Sequence, residues 1–307
     1  MPLPLSYPGL KCVLENLEAV KRAHVIARAP GLQKINKLIP LCLENFFIDY
    51  NELSINTLSI ICYTEKVKYL MNGKTLSRQI SESEEEKMKK LIKYYICGRS
   101  IIHVDSLDWC DSFQPNVNGV NLKFRVNSLK ALFPKDFETA IPLIDPRSFP
   151  LKTLTTFPNT STFDNHVVKL AETLKLNLMI DQIVPVEDLK KLNNQTVVFD
   201  GYNPSSIDII SLIKYHVETK QDIRTTFVIL LYTKNLLGEM LREFESAFDE
   251  FQCDLDGVND RFVKYKKVKP IISFQIYSRI FRIQVYAIEV PEKYCPYKII
   301  VKPVSRL

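Results

Sequence analysis

The sequence predicts an α/β fold with a small N-terminal helical head, a region of mixed strands, irregular βα repeats and a C-terminal antiparallel strand pair. Three observations carry this expectation. Leu10, Val13, Leu14 and Leu17 recur at i, i+3, i+4 and i+7, the stripe of an amphipathic helix, inside a block punctuated by Pro2, Pro4 and Pro40. Further along, short apolar runs centred on Leu154, Leu176, Val198 and Val228 are 22, 22 and 30 residues apart, with helical segments or turns between them. Near the C-terminus, residues 272–290 alternate in period two and are rich in aromatics. The chain is therefore expected to divide into a head over 1–40, mixed strands and a helix over 41–118, and repeats over 119–307 closed by a strand cap.

In the head, Val25, Ile26 and Leu32 continue the apolar pattern and Pro30 interrupts it, which predicts two or three short helices over 8–40. Beyond Pro40 the period changes. Residues 43–48 and 55–61 are β-branched and aromatic, and each reads as a strand. Asn72-Gly73 lies between short apolar runs at 67–71 and 75–80, and both of these residues tolerate positive φ, so a hairpin is expected there. A helix follows, capped by Ser81 or Ser83, with Glu84, Glu85 and Glu86 in its first turn and Lys89 and Lys90 one turn later; Gly98 fits its end. Ile101 to Val104 reads as a strand.

The repeat region offers strands at 121–126, 151–157, 174–180, 196–200 and 226–232 and helices at 205–220 and 235–251. Strands alternating with helices point to parallel βα units. Their spacing is leucine-rich-repeat-like; Leu151-x-x-Leu154 and Leu174-x-Leu176 match that signature in part, with no repeated turn asparagine. At the end, Ile283, Val285 and Ala287 share one face, Arg282, Gln284 and Tyr286 the other, and 296–304 is expected to pair with this strand.

Composition is that of an ordinary globular chain: 307 residues, 46% hydrophobic, 25% charged, formal charge +6. No apolar run approaches the roughly 18 residues of a membrane span, and the N-terminus lacks the basic and apolar regions of a secretory signal. Seven scattered cysteines without a C-x-x-C pair read as reduced thiols, so the expected location is cytoplasmic or nuclear. Lys264, Lys266, Lys267 and Lys269, interleaved with Tyr265 and Val268, form a guarded edge strand or, alternatively, a contact strip for phosphates or an acidic protein. The modest net charge does not favour nucleic acid.

Chemical motifs are missing. His24, His103, His166 and His216 fit no zinc spacing, and no glycine-rich phosphate loop or nucleophile elbow occurs. Asp254, Asp256, Asn259 and Asp260 invite a calcium reading, but glycine falls fourth and Tyr265 twelfth, where an EF-hand loop needs glycine sixth and glutamate twelfth. Trp109, the single tryptophan, is either a core-edge residue or an exposed anchor. No catalytic residue, metal or cofactor is assigned.

The N-terminal stretch PLPLSYPGLKCVLENLEAVKRAHVIARAPGLQK resembles a divergent F-box, through Leu3, Pro4, Leu10, Val13, Leu14, Leu17, Val25, Ile26 and Arg28. Nearly the whole chain is similar to a nematode-expanded family of uncharacterised, F-box-associated-like proteins, through PLSYPGLKCVLE, ARAPGLQKI, MNGKT, CGRSIIHVD, IDPRSFPLKTL and KLNNQTVVF. The resemblance implies docking to a Skp-type adaptor and a cullin ubiquitin ligase, with the repeats capturing a protein substrate. Leu5, Leu10, Val13, Leu14 and Leu17 are then the docking residues, with Lys21 and Arg22 at the rim. The same head reads alternatively as a cap on the repeats. The expected function is a non-enzymatic protein-interaction scaffold. The alternatives are an enzyme whose site has no local motif, or a nucleic-acid binder through Lys264–Lys269.

Overall fold

A computed structural model describes residues 7–96, 102–110, 123–179, 182–201, 207–219, 224–248, 270–277, 282–290 and 294–304. The chain forms two compact units, Met1–Leu151 and Lys152–Leu307.

The first unit opens with three helices, α1 (Tyr7–Asn16), α2 (Ala19–Arg28) and α3 (Gln33–Leu38), as the proline punctuation predicts. Glu18 caps α2, its carboxylate accepting from Val20 N–H and Lys21 N–H at 3.0 and 3.1 Å. Pro30 starts the 3₁₀ turn Pro30–Leu32 that separates α2 from α3. The strands are β1 (Leu41–Ile48), β2 (Glu52–Ile55), β3 (Leu58–Cys62), β4 (Lys66–Met71), β5 (Lys74–Gln79), β6 (Ile102–Trp109) and β7 (Phe124–Ala131). Their order is β7-β6-β1-β2-β3-β4-β5. β6 and β7 add parallel to one side of β1, and β2 to β5 form an antiparallel meander on the other.

The expected hairpin closes at Asn72 and Gly73, with φ of 50° and 75°. α4 (Glu84–Tyr95) follows, capped by Ser83, whose Oγ accepts from Glu86 N–H at 3.3 Å; Lys89 meets Glu85 at 2.7 Å. Its expected stop, Gly98, lies outside the described residues. The run 55–61 is not one strand. Asn56 takes φ 53° and turns the chain back between β2 and β3. Its side chain makes that turn useful: Oδ1 accepts from Glu44 N–H and Asn45 N–H at 2.9 and 3.3 Å, and Nδ2 donates to Glu18 Oε1 at 2.9 Å.

The two amides held by Asn56 mark a break in the in–out alternation of β1. Glu44 and Asn45 both face outward between buried Leu43 and Phe46. β6 and β7 break at the same rung, with Asp105-Ser106 between Val104 and Leu107, and Asn127-Ser128 between Val126 and Leu129. Because all three strands carry the break, their register survives it. Asn127 Nδ2 donates to Asp105 Oδ1 at 2.7 Å, which ties two of the breaks together. Trp109 is a core residue, 2% exposed, and donates from Nε1 to Thr139 Oγ1 of α5 (Pro134–Ala140) at 2.9 Å.

The second unit holds β8 (Thr153–Thr156), β9 (Thr173–Leu178), β10 (Thr196–Gly201), β11 (Thr226–Leu231), β12 (Pro270–Tyr277), β13 (Arg282–Glu289) and β14 (Tyr297–Val304). Its helices are α6 (Thr160–Asp164), α7 (His166–Leu170), α8 (Val186–Leu189), α9 (Ile209–Thr219) and α10 (Lys234–Ala247). The strand order is β12-β13-β14-β11-β10-β9-β8. β8 to β11 are parallel and sit side by side in chain order, as the spacing predicts. A parallel order that never reverses, joined by right-handed crossovers, places every connection on one face of the sheet. Burial follows that rule. Leu174, Leu176, Val197, Phe199, Phe227 and Ile229 are buried, and the residues between them are half-buried or exposed. On α10 the buried stripe is Leu237, Met240, Leu241 and Phe244.

Two local devices close these repeats. Gly201 faces Leu178 across β10 and β9, where a Cβ would come within 2.5 Å of Leu178 Cβ. Asn194 is 2% exposed and donates from Nδ2 to Val168 O and Ala171 O at 2.8 and 2.6 Å, binding the turn of the preceding repeat. The expected C-terminal antiparallel pairing is present, with two strands drawn from 272–290 where one is expected. A single strand over 272–290 would be about 60 Å long; instead it folds into β12 and β13, paired antiparallel, with β14 beside β13 and β11. Ile283, Val285 and Ala287 are the buried face.

Candidate protein-interaction surfaces

The head divides its apolar residues between a core and an outer face. Leu14, Ile26 and Ile39 form a buried cluster, with Leu10, Leu32 and Ile35 packed against it. Leu14 is 1% exposed, so it belongs to that core and cannot meet a partner, contrary to the sequence expectation. Leu10 and Leu17 are half-buried, Val13 is 49% exposed, Lys21 is exposed, and Leu5 lies outside the described residues.

Arg22 is likewise an internal residue and not a rim contact: it is 2% exposed. Its guanidinium donates to Asn36 Oδ1 at 2.6 Å, Asn36 O at 3.0 Å, Ile39 O at 2.9 Å and Pro40 O at 2.9 Å. These carbonyls lie at the C-terminal end of α3, where the helix dipole favours a cation. Burial pushes the Arg22 pKa down from its usual value, and the charges of Cys42 and Glu15 oppose that shift. A signal for this placement was present in the sequence. Ala19, Arg22, Ala23 and Ile26 are spaced i, i+3, i+4 and i+7, so position 22 lies in the buried stripe of α2. Among the described residues the head's exposed large apolar side chains are Val13, Val25 and Leu38, at 49%, 42% and 70% exposure.

The second surface is the sheet face of the second unit opposite its buried side. Thr153, Thr173, Thr196 and Thr226 are register partners across four parallel strands, giving a row of hydroxyl-bearing residues one strand spacing apart. The next row is Thr155, Lys175, Val198, Val228 and Ile300, and the next Asn177, Asp200, Leu230 and Lys298. At the end of β10, Asp200 Oδ1 accepts from Tyr232 Oη at 2.9 Å and lies 4.0 Å from Cys295 Sγ. Tyr294, 78% exposed, stands edge-on to the Tyr232 ring with centroids 5.3 Å apart. Burial, then the hydrogen bond to Asp200, push the Tyr232 phenol well above its usual range, and burial pushes up the Cys295 thiol. Both groups stay protonated at neutral pH, so the cluster orients hydrogen bonds and offers no activated nucleophile.

The corresponding face of the first unit carries Cys42, His103 and Arg125 in one register row. Burial and the Arg125 guanidinium push the His103 pKa down, which keeps the ring neutral at pH 7. Asp145 accepts from the Arg147 backbone N–H at 3.0 Å and from the Arg147 and Arg125 guanidinium groups at 3.2 and 3.3 Å. These bonds hold its carboxyl at about 2, below the usual 3.8. Among the described residues no group of three or more His, Cys, Asp and Glu side chains could hold a metal ion. The residues of the calcium reading and Lys264–Lys269 lie outside the described residues.

A family model, described as a domain of unknown function (DUF3557), matches residues 84–231, from the start of α4 to the end of β11. It includes neither the helical head nor β12–β14, and it names no activity. No curated protein and no solved structure matches the chain.

Proposed function

We propose that this chain is a non-enzymatic protein-interaction scaffold, and that its head docks a Skp-type adaptor so that the sheet of the second unit presents a protein substrate to a cullin ubiquitin ligase. The observation that carries the scaffold reading is the sheet face opposite the helical connections, where threonine, asparagine, lysine and aspartate side chains stand in rows with Val198, Val228, Leu230 and Ile300 among them. Such a face offers many weak polar contacts and no convergent reacting groups, which suits recognition of a protein surface. The adaptor part rests on the F-box resemblance of the head. With Leu14 and Arg22 turned inward, the contact falls to Val13, Leu17, Lys21 and Val25.

The test is co-precipitation of a purified Skp-type adaptor by the full chain. Val13→Asp with Val25→Asp should abolish capture, since two carboxylates cannot be buried unpaired in a contact. Both side chains are exposed, so circular dichroism and melting should stay unchanged. If the wild-type chain captures no adaptor, the ligase part fails. A scaffold acting through the sheet face is tested separately: Thr173→Arg with Thr196→Arg should remove proteins that crosslink to the wild-type face in native cells. Retention of all of them would refute it.

A further inference from the structure

β5 ends the first unit's strand order, so among the described residues one of its edges borders no strand. The register identifies the residues that direct their backbone into that edge. Ile80 N–H donates to Glu65 O at 2.9 Å, and the pairing continues from Lys66↔Gln79 to Met71↔Lys74. Hydrogen-bonded pairs alternate along an antiparallel ladder. Lys74, Leu76 and Arg78 therefore bond inward to β4, and Thr75, Ser77 and Gln79 each turn an N–H and a C=O outward.

The side chains are as ordered as the backbone. Lys74, Leu76 and Arg78 share one face of the strand, and Thr75, Ser77 and Gln79 share the other. All six are exposed, Leu76 at 68%. From 66 to 79 the chain carries Lys66, Lys68, Lys74 and Arg78 and no carboxylate. Among the described residues none of these four cations joins an ion pair. A second copy is a poor occupant, because antiparallel addition about Leu76 sets Lys74 against Arg78, and like charges directly opposite are repulsive.

We propose that β5 is a docking edge that takes up, as an added strand, an extended polypeptide segment of the pattern acidic–x–apolar–x–acidic. Alternate residues of such a segment stand directly opposite Lys74, Leu76 and Arg78, so its carboxylates meet the two cations and its apolar side chain covers Leu76. The intervening residues exchange backbone hydrogen bonds with Thr75, Ser77 and Gln79. This surface is separate from the head and from the second unit's sheet face, and it goes beyond the scaffold reading: failure of adaptor capture leaves it intact.

The probe is fluorescein-labelled Thr-Glu-Thr-Val-Thr-Glu-Thr, followed by anisotropy with the full chain. The expected result is saturable binding that weakens with salt, about tenfold weaker binding of the permutation Thr-Thr-Val-Glu-Glu-Thr-Thr, and none of the peptide with lysine for glutamate. Lys74→Glu with Arg78→Glu should reverse the choice between glutamate and lysine peptides. Ser77→Pro removes an outward N–H and no bond to β4, and should weaken binding at least about tenfold with melting unchanged. A peptide control needs no variant: N-methylation of the two threonines flanking valine, whose amides face β5, should abolish binding, and N-methylation of valine, whose amide faces away, should not. Three results overturn the proposal. They are no binding of the glutamate peptide at millimolar concentration, equal tolerance of both methylation patterns, and binding of a single-stranded oligonucleotide in place of the peptide.

Discussion

Replacing Arg22 by methionine separates an internal clip from a docking contact. The guanidinium makes four hydrogen bonds in an almost fully buried position, to Asn36 Oδ1 and to the carbonyls of Asn36, Ile39 and Pro40. Methionine fills much of the volume but supplies no donor. An acceptor stripped of its donor inside the protein costs about 1–3 kcal/mol, and the Asn36 and Ile39 acceptors are the buried ones, at 7% and 1% residue exposure. The restored apolar packing offsets part of this, and Asn36 O keeps the Ile39 N–H at 3.3 Å, which leaves a net loss of about 2–4 kcal/mol. At about 2–4 °C per kcal/mol for a unit of this size, the first unit should melt about 10 °C lower. Hydrogen exchange read by mass spectrometry should quicken over 19–40 before it does elsewhere, because Arg22 ties α2 to the end of α3. Arg22→Lys should recover less than half of the loss, since one ammonium cannot span the acceptors a planar fork reaches. An R22M protein with unchanged melting and unchanged exchange over 19–40 would refute the clip.

Other substitutions test the remaining devices. Gly201→Ala should destabilise the second unit by about 1–3 kcal/mol in urea unfolding, because its Cβ would meet Leu178 Cβ at 2.5 Å; an unchanged midpoint would show that β9 and β10 part without cost. Asn194→Ala removes the donors to Val168 O and Ala171 O and should cost about 1–3 kcal/mol, with exchange at Val168–Thr173 rising first. Asp145 is ionised down to about 2 in the folded chain against 3.8 ordinarily, so its contribution is complete above about pH 4 and disappears as pH falls toward 2. Stability of the wild-type chain should therefore drop more steeply across that window than that of Asp145→Asn; parallel curves would contradict the Arg147 and Arg125 pairing.

Local patterns were legible wherever one residue type controls one conformation. Asn72-Gly73 announced its hairpin, Ser83 and the following glutamates announced α4, and the spacing of Leu154, Leu176, Val198 and Val228 announced parallel βα units. The split of 55–61 was hidden because Asn56 turns the chain without a following glycine, held by contacts to Glu44, Asn45 and Glu18 that are remote in sequence. The surface reading of Arg22 failed for a related reason. Arginine is rarely buried, and the carbonyl cage that permits it comes from α3 and Pro40. Position within the stripe of α2 was the better guide than residue type. The matched break in β1, β6 and β7 appears in the sequence as Φ-x-Φ followed by two polar residues and Φ-x-Φ, three times over, at intervals too irregular to stand out before the strands are aligned. The basic edge of β5 was visible as composition, but which backbone groups it frees depends on the register.

The chain-order ladder from β8 to β11 also bears on how this protein can change over generations. β9 and β10 each pair with the strands just before and after them in the chain, so a duplicated or deleted βα unit there alters a local boundary and leaves the remaining strands to stack as before. Threonine at the first position of every strand, Thr153, Thr173, Thr196 and Thr226, gives each unit the same polar entry, so a new copy would join the row already in step. Lineages carrying this ladder can lengthen or shorten the outer face of the sheet without redesigning the interior behind it.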